Sequence, residues 1–309
     1  MEITLSILLR NTGTLKFITE ALKILPASVD RIKLICGKNT EGDTPLHMAA
    51  KLQTKEIAEH LISSYEDLCV VDDAEQEITL LWRVHNNQGN APLHVALMNG
   101  GKSIQVAFYL FCVGPEVAAC TNHRNETPLH LAVMYDNQGA KMSTINMINK
   151  LNGQGASLTF MKNLFEEDSL SLIKFLLEEN STVCCFHDAN GMTPLLRATI
   201  NSYLPVVEAI ISSCRESIEI CDFKGRNILH HIKFSSFIKA NKFLRISGVS
   251  VLLDQQDDDG NTPVHIAAQN HDFGMIKAMI ESNDNFAIKN NEGISAASII
   301  QSDSNFSTT

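Results

Sequence analysis

Five histidines stand at matched places. His47, His94, His130, His230 and His265 each close a four-residue phrase of the type Thr-Pro-Leu-His or a near variant. Imidazoles that recur in a pattern are the raw material of a metal centre or an acid–base pair. Their spacing argues against both. Successive members are 47, 36, 100 and 35 residues apart, and equivalent side chains of stacked helical repeats lie roughly 10 Å from one another. A zinc ion holds its imidazole nitrogens at ~2.1 Å. The rings are therefore read as structural, each hydrogen-bonding backbone in the neighbouring turn. Asp257, Asp258, Asp259 and Gly260 suggest a calcium loop. That loop needs an oxygen ligand where Gln255 stands and a closing Glu near Ile266, so the run reads as a turn before a helix. Cys184 and Cys185 have no base placed to activate them. Neither a glycine-rich phosphate loop nor Gly-x-Ser-x-Gly occurs. The reading is non-enzymatic, with no catalytic residue, no cofactor and no metal.

Bulk composition narrows the classes further. The chain has 309 residues and a formal net charge of -10. That balance excludes a broad nucleic-acid surface and docking on anionic lipid by charge alone. Eight cysteines occur without a Cys-x-x-Cys pair, and they read as free thiols of a reducing compartment, the cytoplasm. MEITLSILLRNTG is a poor signal peptide, and three Asn-x-Ser/Thr sequons are read as chance in its absence. The longest apolar run, Ile104 to Val113, is broken by Gly114, Pro115 and Glu116, so no span is expected.

The elements that position the histidines come in a repeat. Taking the first residue of each phrase as origin gives Thr44, Ala91, Thr127, Thr193, Asn227, Thr262 and Ser295, with gaps of 47, 36, 66, 34, 35 and 33. The gap of 66 is two periods of 33, and TFMKNLFEEDSLSLIKFLLEEN from Thr159 fills its centre as a worn unit with Lys162 in the His position. TLSILLRNTGTLKFI from Thr4 opens the chain in the same way. A period near 33 with Thr-Pro-Leu-His is the ankyrin-repeat signature. The expected fold is all-α: an ankyrin-repeat solenoid of helix pairs with short β-turn fingers. It has nine units, opening near 4, 44, 91, 127, 159, 193, 227, 262 and 295, over residues 1–300, with 301–309 a disordered tail. Gly42, Gly89, Gly191, Gly225, Gly260 and Gly293 each stand two before an origin, where a tight turn needs positive φ. Thr then caps a helix that Pro opens, and a second helix returns antiparallel, as over Lys55–Ile62, Leu204–Ile211 and Phe273–Ile280.

Longer runs carry a narrower resemblance. EITLLWRVHNNQGNAPLHVALMNG, SSCRESIEICDFKGRNILHHIKF, VLLDQQDDDGNTPVHIAAQNHD and AIKNNEGISAASII follow in this order. The order resembles the plant ankyrin proteins of the accelerated-cell-death type, over residues 1 to 300. That resemblance implies a role in plant defence and stress signalling and a place at the cytosolic face of the plasma membrane. Such proteins usually continue into a membrane domain opened by Pro-Gly-Gly, a motif absent through Thr309. Two readings stay open: a soluble adaptor or regulator, or the cytosolic ankyrin part of a channel-like or receptor-like membrane protein.

The partner-facing positions of such a stack are the finger tips and the end of each first helix, seven and eight residues after the origin. At the helix ends stand Met98, Met134, Tyr135, Ile200 and Phe234, an expected apolar stripe. The fingers run from acidic Glu41 and Asp43 through basic Arg124, Lys224 and Arg226 to acidic Asp258 and Asp259. The expected partner is a protein that lays an apolar or amphipathic segment, flanked by acidic residues, in the groove.

Overall fold

The computed structural model describes residues 31–69, 80–100, 103–135, 169–234, 236–282 and 284–302. The units expected at Thr4 and at the start of the Thr159 unit lie outside these residues. The described chain is helical, with one isolated antiparallel bridge between Lys289 and Ser295. In order, the helices are α1 Arg31–Cys36, α2 Pro45–Lys51, α3 Lys55–Cys69, α4 Pro92–Asn99, α5 Ser103–Val113, α6 Pro128–Tyr135 and α7 Ser169–Glu179. Then follow α8 Pro194–Ile200, α9 Leu204–Ser213, α10 Ile228–His231, α11 Phe237–Leu244, α12 Pro263–Gln269, α13 Phe273–Glu281 and α14 Ala296–Ser302. Seven of these, α2, α4, α6, α8, α10, α12 and α14, begin one residue after an origin of the sequence period.

The physical reason is local. At Thr44, Ala91, Thr193 and Thr262 the backbone is extended, and Pro follows at the first helical position, where a missing N–H costs nothing. A short turn then sends the chain back through the second helix. Left-handed residues Gln53, Ser202 and His271 make that turn in three repeats, and Gly100 in another. α14 runs to Ser302, two residues into the stretch expected as a tail; the remainder lies outside the described residues.

Two compact bodies divide the chain, Met1–Asn180 and Ser181–Thr309. In the first, α2, α4 and α6 pack side by side, α1, α3 and α5 form a second row, and α7 packs on α6. In the second, α8, α10, α12 and α14 make the inner row and α11 packs on α13. Each row buries small and branched side chains against its neighbours: Leu46, Ala49, Leu61, Leu93, Ala96, Leu110 and Leu129 in the first body, Leu195, Ala198, Val207, Ile210, Ile228 and Met279 in the second. Single-turn 3₁₀ helices follow α5, α7 and α9, at Pro115–Ala119, Ser181–Cys185 and Arg215–Glu219. Each buries two residues, Val117 and Ala118, Val183 and Cys184, Ser217 and Ile218.

One first helix departs from the pattern. α10 has only four residues, and the chain turns extended at Ile232 (φ -79, ψ 147). The seventh residue after Asn227 is therefore not on a helix at all. Phe234 turns inward, is 3% exposed and packs on Phe243 at 5.5 Å. Its N–H donates to Asp272, and its carbonyl lies 2.4 Å from where a Cβ on Gly274 would stand. Phe234 belongs to the core of its body, which removes it from the expected stripe.

Candidate protein-binding surface

The fingers are built by one side chain that the period alone does not advertise. Five residues before each origin stands Asn39, Asn86, Asn122, Asp188, Asp222, Asp257 or Asn290. Its Oδ1 accepts the N–H groups two and four residues on, as Asn86 does from Gln88 and Asn90 at 3.0 Å. The other six do the same. This closes the turn without a strand partner. The signal is legible in retrospect as Asn or Asp at one fixed offset.

Neighbouring fingers are then tied by backbone. Asn87 N–H donates to the Glu41 carbonyl at 3.1 Å, His123 to Gln88 at 3.1 Å, Asp258 to Lys224 at 2.9 Å and Asn291 to Asp259 at 3.1 Å. The repeating glycine sits against that junction. A Cβ on Gly89 would come within 2.6 Å of the His123 ring, so close approach as well as φ of +75° requires glycine there.

The histidines complete the frame. His47 Nδ1 accepts from the Thr44 N–H at 3.1 Å and from the Thr44 hydroxyl at 2.8 Å, which puts the ring proton on Nε2. Nε2 donates to the carbonyl of Asn90, one residue before the next origin, at 2.8 Å. His94 reaches Glu126 at 3.2 Å, His230 reaches Asn261 at 2.9 Å and His265 reaches Ile294 at 3.1 Å in the same way. Burial holds His47 and His94 down to about 4 and lowers His230 as well. Neutral rings inside a backbone network are structural, as the spacing implies. Among the described residues no group of three His, Cys, Asp or Glu side chains is arranged to hold a metal.

Where Leu196 replaces the histidine, the Thr193 hydroxyl instead accepts from the Leu196 N–H at 3.2 Å. Arg197, the next residue, ties its helix to its own finger, donating from Nε to Asp188 at 2.7 Å.

The fingers and first-helix ends of the first body enclose a cavity of about 410 Å³. Thr40, Glu41, Asn87 and Gln88 come from two fingers, Lys51 from α2 and Met98 from α4. Lys51 bonds Glu41 at 2.8 Å and also the buried Asp43. Burial alone would lower the Lys51 pKa and raise that of Asp43; the ion pair outweighs it, so Lys51 is raised and Asp43 lowered. Met98 is thus an apolar side chain in a polar setting. Met134 and Tyr135 are half-buried at the end of α6, and Arg124 is exposed on the finger before it.

In the second body Ile200 is 51% exposed at the end of α8 and Lys224 is exposed on a finger. Arg226 is half-buried, 3.5 Å from Asp222. Asp222 also meets His231 at 3.1 Å. The expectation passed over Phe223, which is 67% exposed four residues before Asn227 and stacks on His187 at 5.3 Å. Its tip position was the available signal. Among the described residues no helix is long and apolar enough to cross a membrane.

Helix pairs joined through fingers, with recurring ring and backbone bonds from one repeat to the next, define a repeat solenoid. Residues 18–120 match the model for ankyrin repeats in three copies, and residues 259–291 match that for the single ankyrin repeat. The matched segments are ankyrin repeats, and the described chain has the ankyrin-repeat fold. It is 27% identical to transcription factor MBP1 of Kluyveromyces lactis over 43% of this chain and 20% of that protein. It is 23% identical to the human transient receptor potential cation channel subfamily A member 1 over 86% of this chain and 23% of that protein. A yeast protein, the probable 26S proteasome regulatory subunit p28, is 24% identical over 67% of this chain and 86% of its own length. The chain spans less than a quarter of the first two relatives. Among solved structures, the ankyrin-repeat domain of Bcl-3 aligns with a TM-score of 0.56 at 18% identity, covering 84% of this chain and 95% of that one. EF0377 aligns with a TM-score of 0.52 at 16% identity, covering 77% and 96%.

Proposed function

We propose that the chain is a non-enzymatic protein-binding module, an adaptor or regulator that holds an apolar or amphipathic segment of a partner along its finger tips and first-helix ends. The carrying observation is the cavity lined in part by Met98, with Met134 and Tyr135 at the matching end of the next first helix and Arg124 exposed on the finger before it. A mostly polar wall with Met98 and Val95 as its apolar side chains suits a segment that buries one anchor and satisfies its backbone at the rim. Ile200, Lys224 and Arg226 are proposed as a second set of contacts in the other body. Phe234 has no part in it. No nucleic acid is expected as partner, given the charge of -10.

The order of the longer runs supports a narrower reading, a plant defence or stress regulator of the accelerated-cell-death type acting in the cytoplasm at the plasma-membrane face. The alternative is the cytosolic ankyrin part of a channel-like membrane protein. Similarity to the human cation channel along 86% of this chain favours it. The full reading frame separates the two, since a downstream Pro-Gly-Gly motif with four apolar stretches supports the alternative.

The binding test changes Met98 and Met134 together to Glu. Affinity capture from the source tissue with both proteins, quantified protein by protein, should show a set retained by the wild type and lost by the variant. Helix content and melting should stay nearly unchanged. An identical captured set removes the surface from consideration, and an unfolded variant assigns the two methionines to the core.

A further inference from the structure

We propose that Cys185 and Cys214 are a disulfide-forming pair, which a small-molecule disulfide joins to staple two successive repeats of the second body. Cys185 ends the 3₁₀ turn Ser181–Cys185, and Cys214 caps α9 immediately before the matching turn Arg215–Glu219. The two turns pack on one another, and the sulfurs stand 3.6 Å apart. Both cysteines are free thiols. Closing to the ~2.05 Å of a disulfide requires side-chain rotation of the kind χ angles supply, with the backbone elements already in contact.

The protons are arranged for the exchange. Cys214 donates its S–H to Glu216 Oε2 at 3.6 Å, so in its contact with Cys185 it is the acceptor and the Cys185 S–H is the donor. Cys185 is half-buried and Cys214 is buried, so solvent reaches the former first. The Cys185 thiolate attacks one sulfur of the small disulfide, forming a mixed disulfide and releasing one small thiol. Cys214, losing its proton towards Glu216, then attacks the Cys185 sulfur and displaces the second small thiol. Two protein thiols and one small disulfide give one protein disulfide and two small thiols, with both protons on the products.

Burial, then the Cys214 contact, pushes the Cys185 thiol up to about 11. Little thiolate exists at neutral pH, so joining is slow. The same high thiol pKa makes Cys185 a poor leaving group in the reverse direction. The pair therefore acts as a slow staple under sustained oxidation, as opposed to a rapid sensor. It fixes one inter-repeat interface in an array whose weakest interface decides where the stack opens.

Cys184, also buried, is the competing thiol. The reduced full chain is incubated with oxidised glutathione at mildly alkaline pH, blocked with a thiol reagent and digested with trypsin without reductant. The peptide covering residues 175–197 should appear joined to that covering 198–215, lighter by two hydrogens, in the wild type and in Cys184→Ser. Cys185→Ser should lack it. Oxidation should raise the wild-type melting temperature by several degrees, and a reductant should reverse the gain. A link through Cys184, a glutathione adduct that stalls on Cys185, or no joined peptide after exhaustive oxidation overturns the assignment.

Discussion

His47 is held from both sides, by Thr44 of its own repeat and by the Asn90 carbonyl of the next. His47→Ala leaves the buried Thr44 N–H and hydroxyl without their acceptor, each costing ~1–3 kcal/mol, while the Asn90 carbonyl keeps only the Asn86 N–H. A loss of ~2–4 kcal/mol in chemical denaturation is expected; a loss under ~1 kcal/mol would mean that water replaces the ring. The same burial sets a pH dependence. His47 and His94 are held to about 4 in the fold, against 6.5 for the free side chain. Between those values the unfolded chain binds protons that the folded chain refuses. Their contribution is complete above pH 6.5 and is lost as pH falls towards 4. Asp284 opposes it: burial and Asp254 push its carboxyl up to about 7 from 3.8, so stability from that group declines as pH rises through the same range. With two such histidines against one carboxyl, melting temperature should fall on acidification from pH 6.5. A flat or rising profile would contradict the assignment of neutral rings.

The finger is the element that converts a local phrase into a stack. Its glycine answers to two demands that can be separated by mutation. Gly89 has φ of +75° and faces the His123 ring, whereas Gly293 has φ of +77° with nothing within 4 Å of a Cβ. Gly293→Ala should cost ~1 kcal/mol, the left-handed penalty alone. Gly89→Ala should cost at least ~2 kcal/mol, because the next finger must also move. Equal costs in urea titrations would mean that the fingers are not held at their observed spacing. The short α10 makes a complementary point. Helix length is set by what the following segment packs on, and Asp272 with Gly274 draws that segment inward.

Across the molecule, stability is a sum over repeats and their interfaces. The unit opening at Thr159 lacks the glycine, the proline and the histidine, and Gln154 stands where the strong repeats carry the finger-closing Asn or Asp. Limited proteolysis is expected to cut first within residues 136–157 or 65–77, before any site between 193 and 280. First cuts inside the latter range would reverse the ranking of the repeats.

Much of the architecture was legible in the sequence because its causes are local. Positive φ at Gly42 or Gly260, Pro at the first helical position and the ring-to-backbone bond of the histidines all act within a few residues, so one phrase read at each origin locates each first helix. The acceptors of His47, His94, His230 and His265 lie 29 to 43 residues away, yet the period places them too, because successive fingers are copies. Exposure is different. Met98 and Phe234 share an offset from their origins, but one lines a cavity and the other is core. The difference lies in the four-residue length of α10 and in Asp272, 38 residues further on. Likewise nothing in the spacing of Cys185 and Cys214 brings their sulfurs together; two 3₁₀ turns packed side by side do. Conformation within a repeat follows from short-range sterics and hydrogen bonds written in the chain. Which face of a side chain meets water follows from what the neighbouring repeat places against it, and only the tertiary structure decides that.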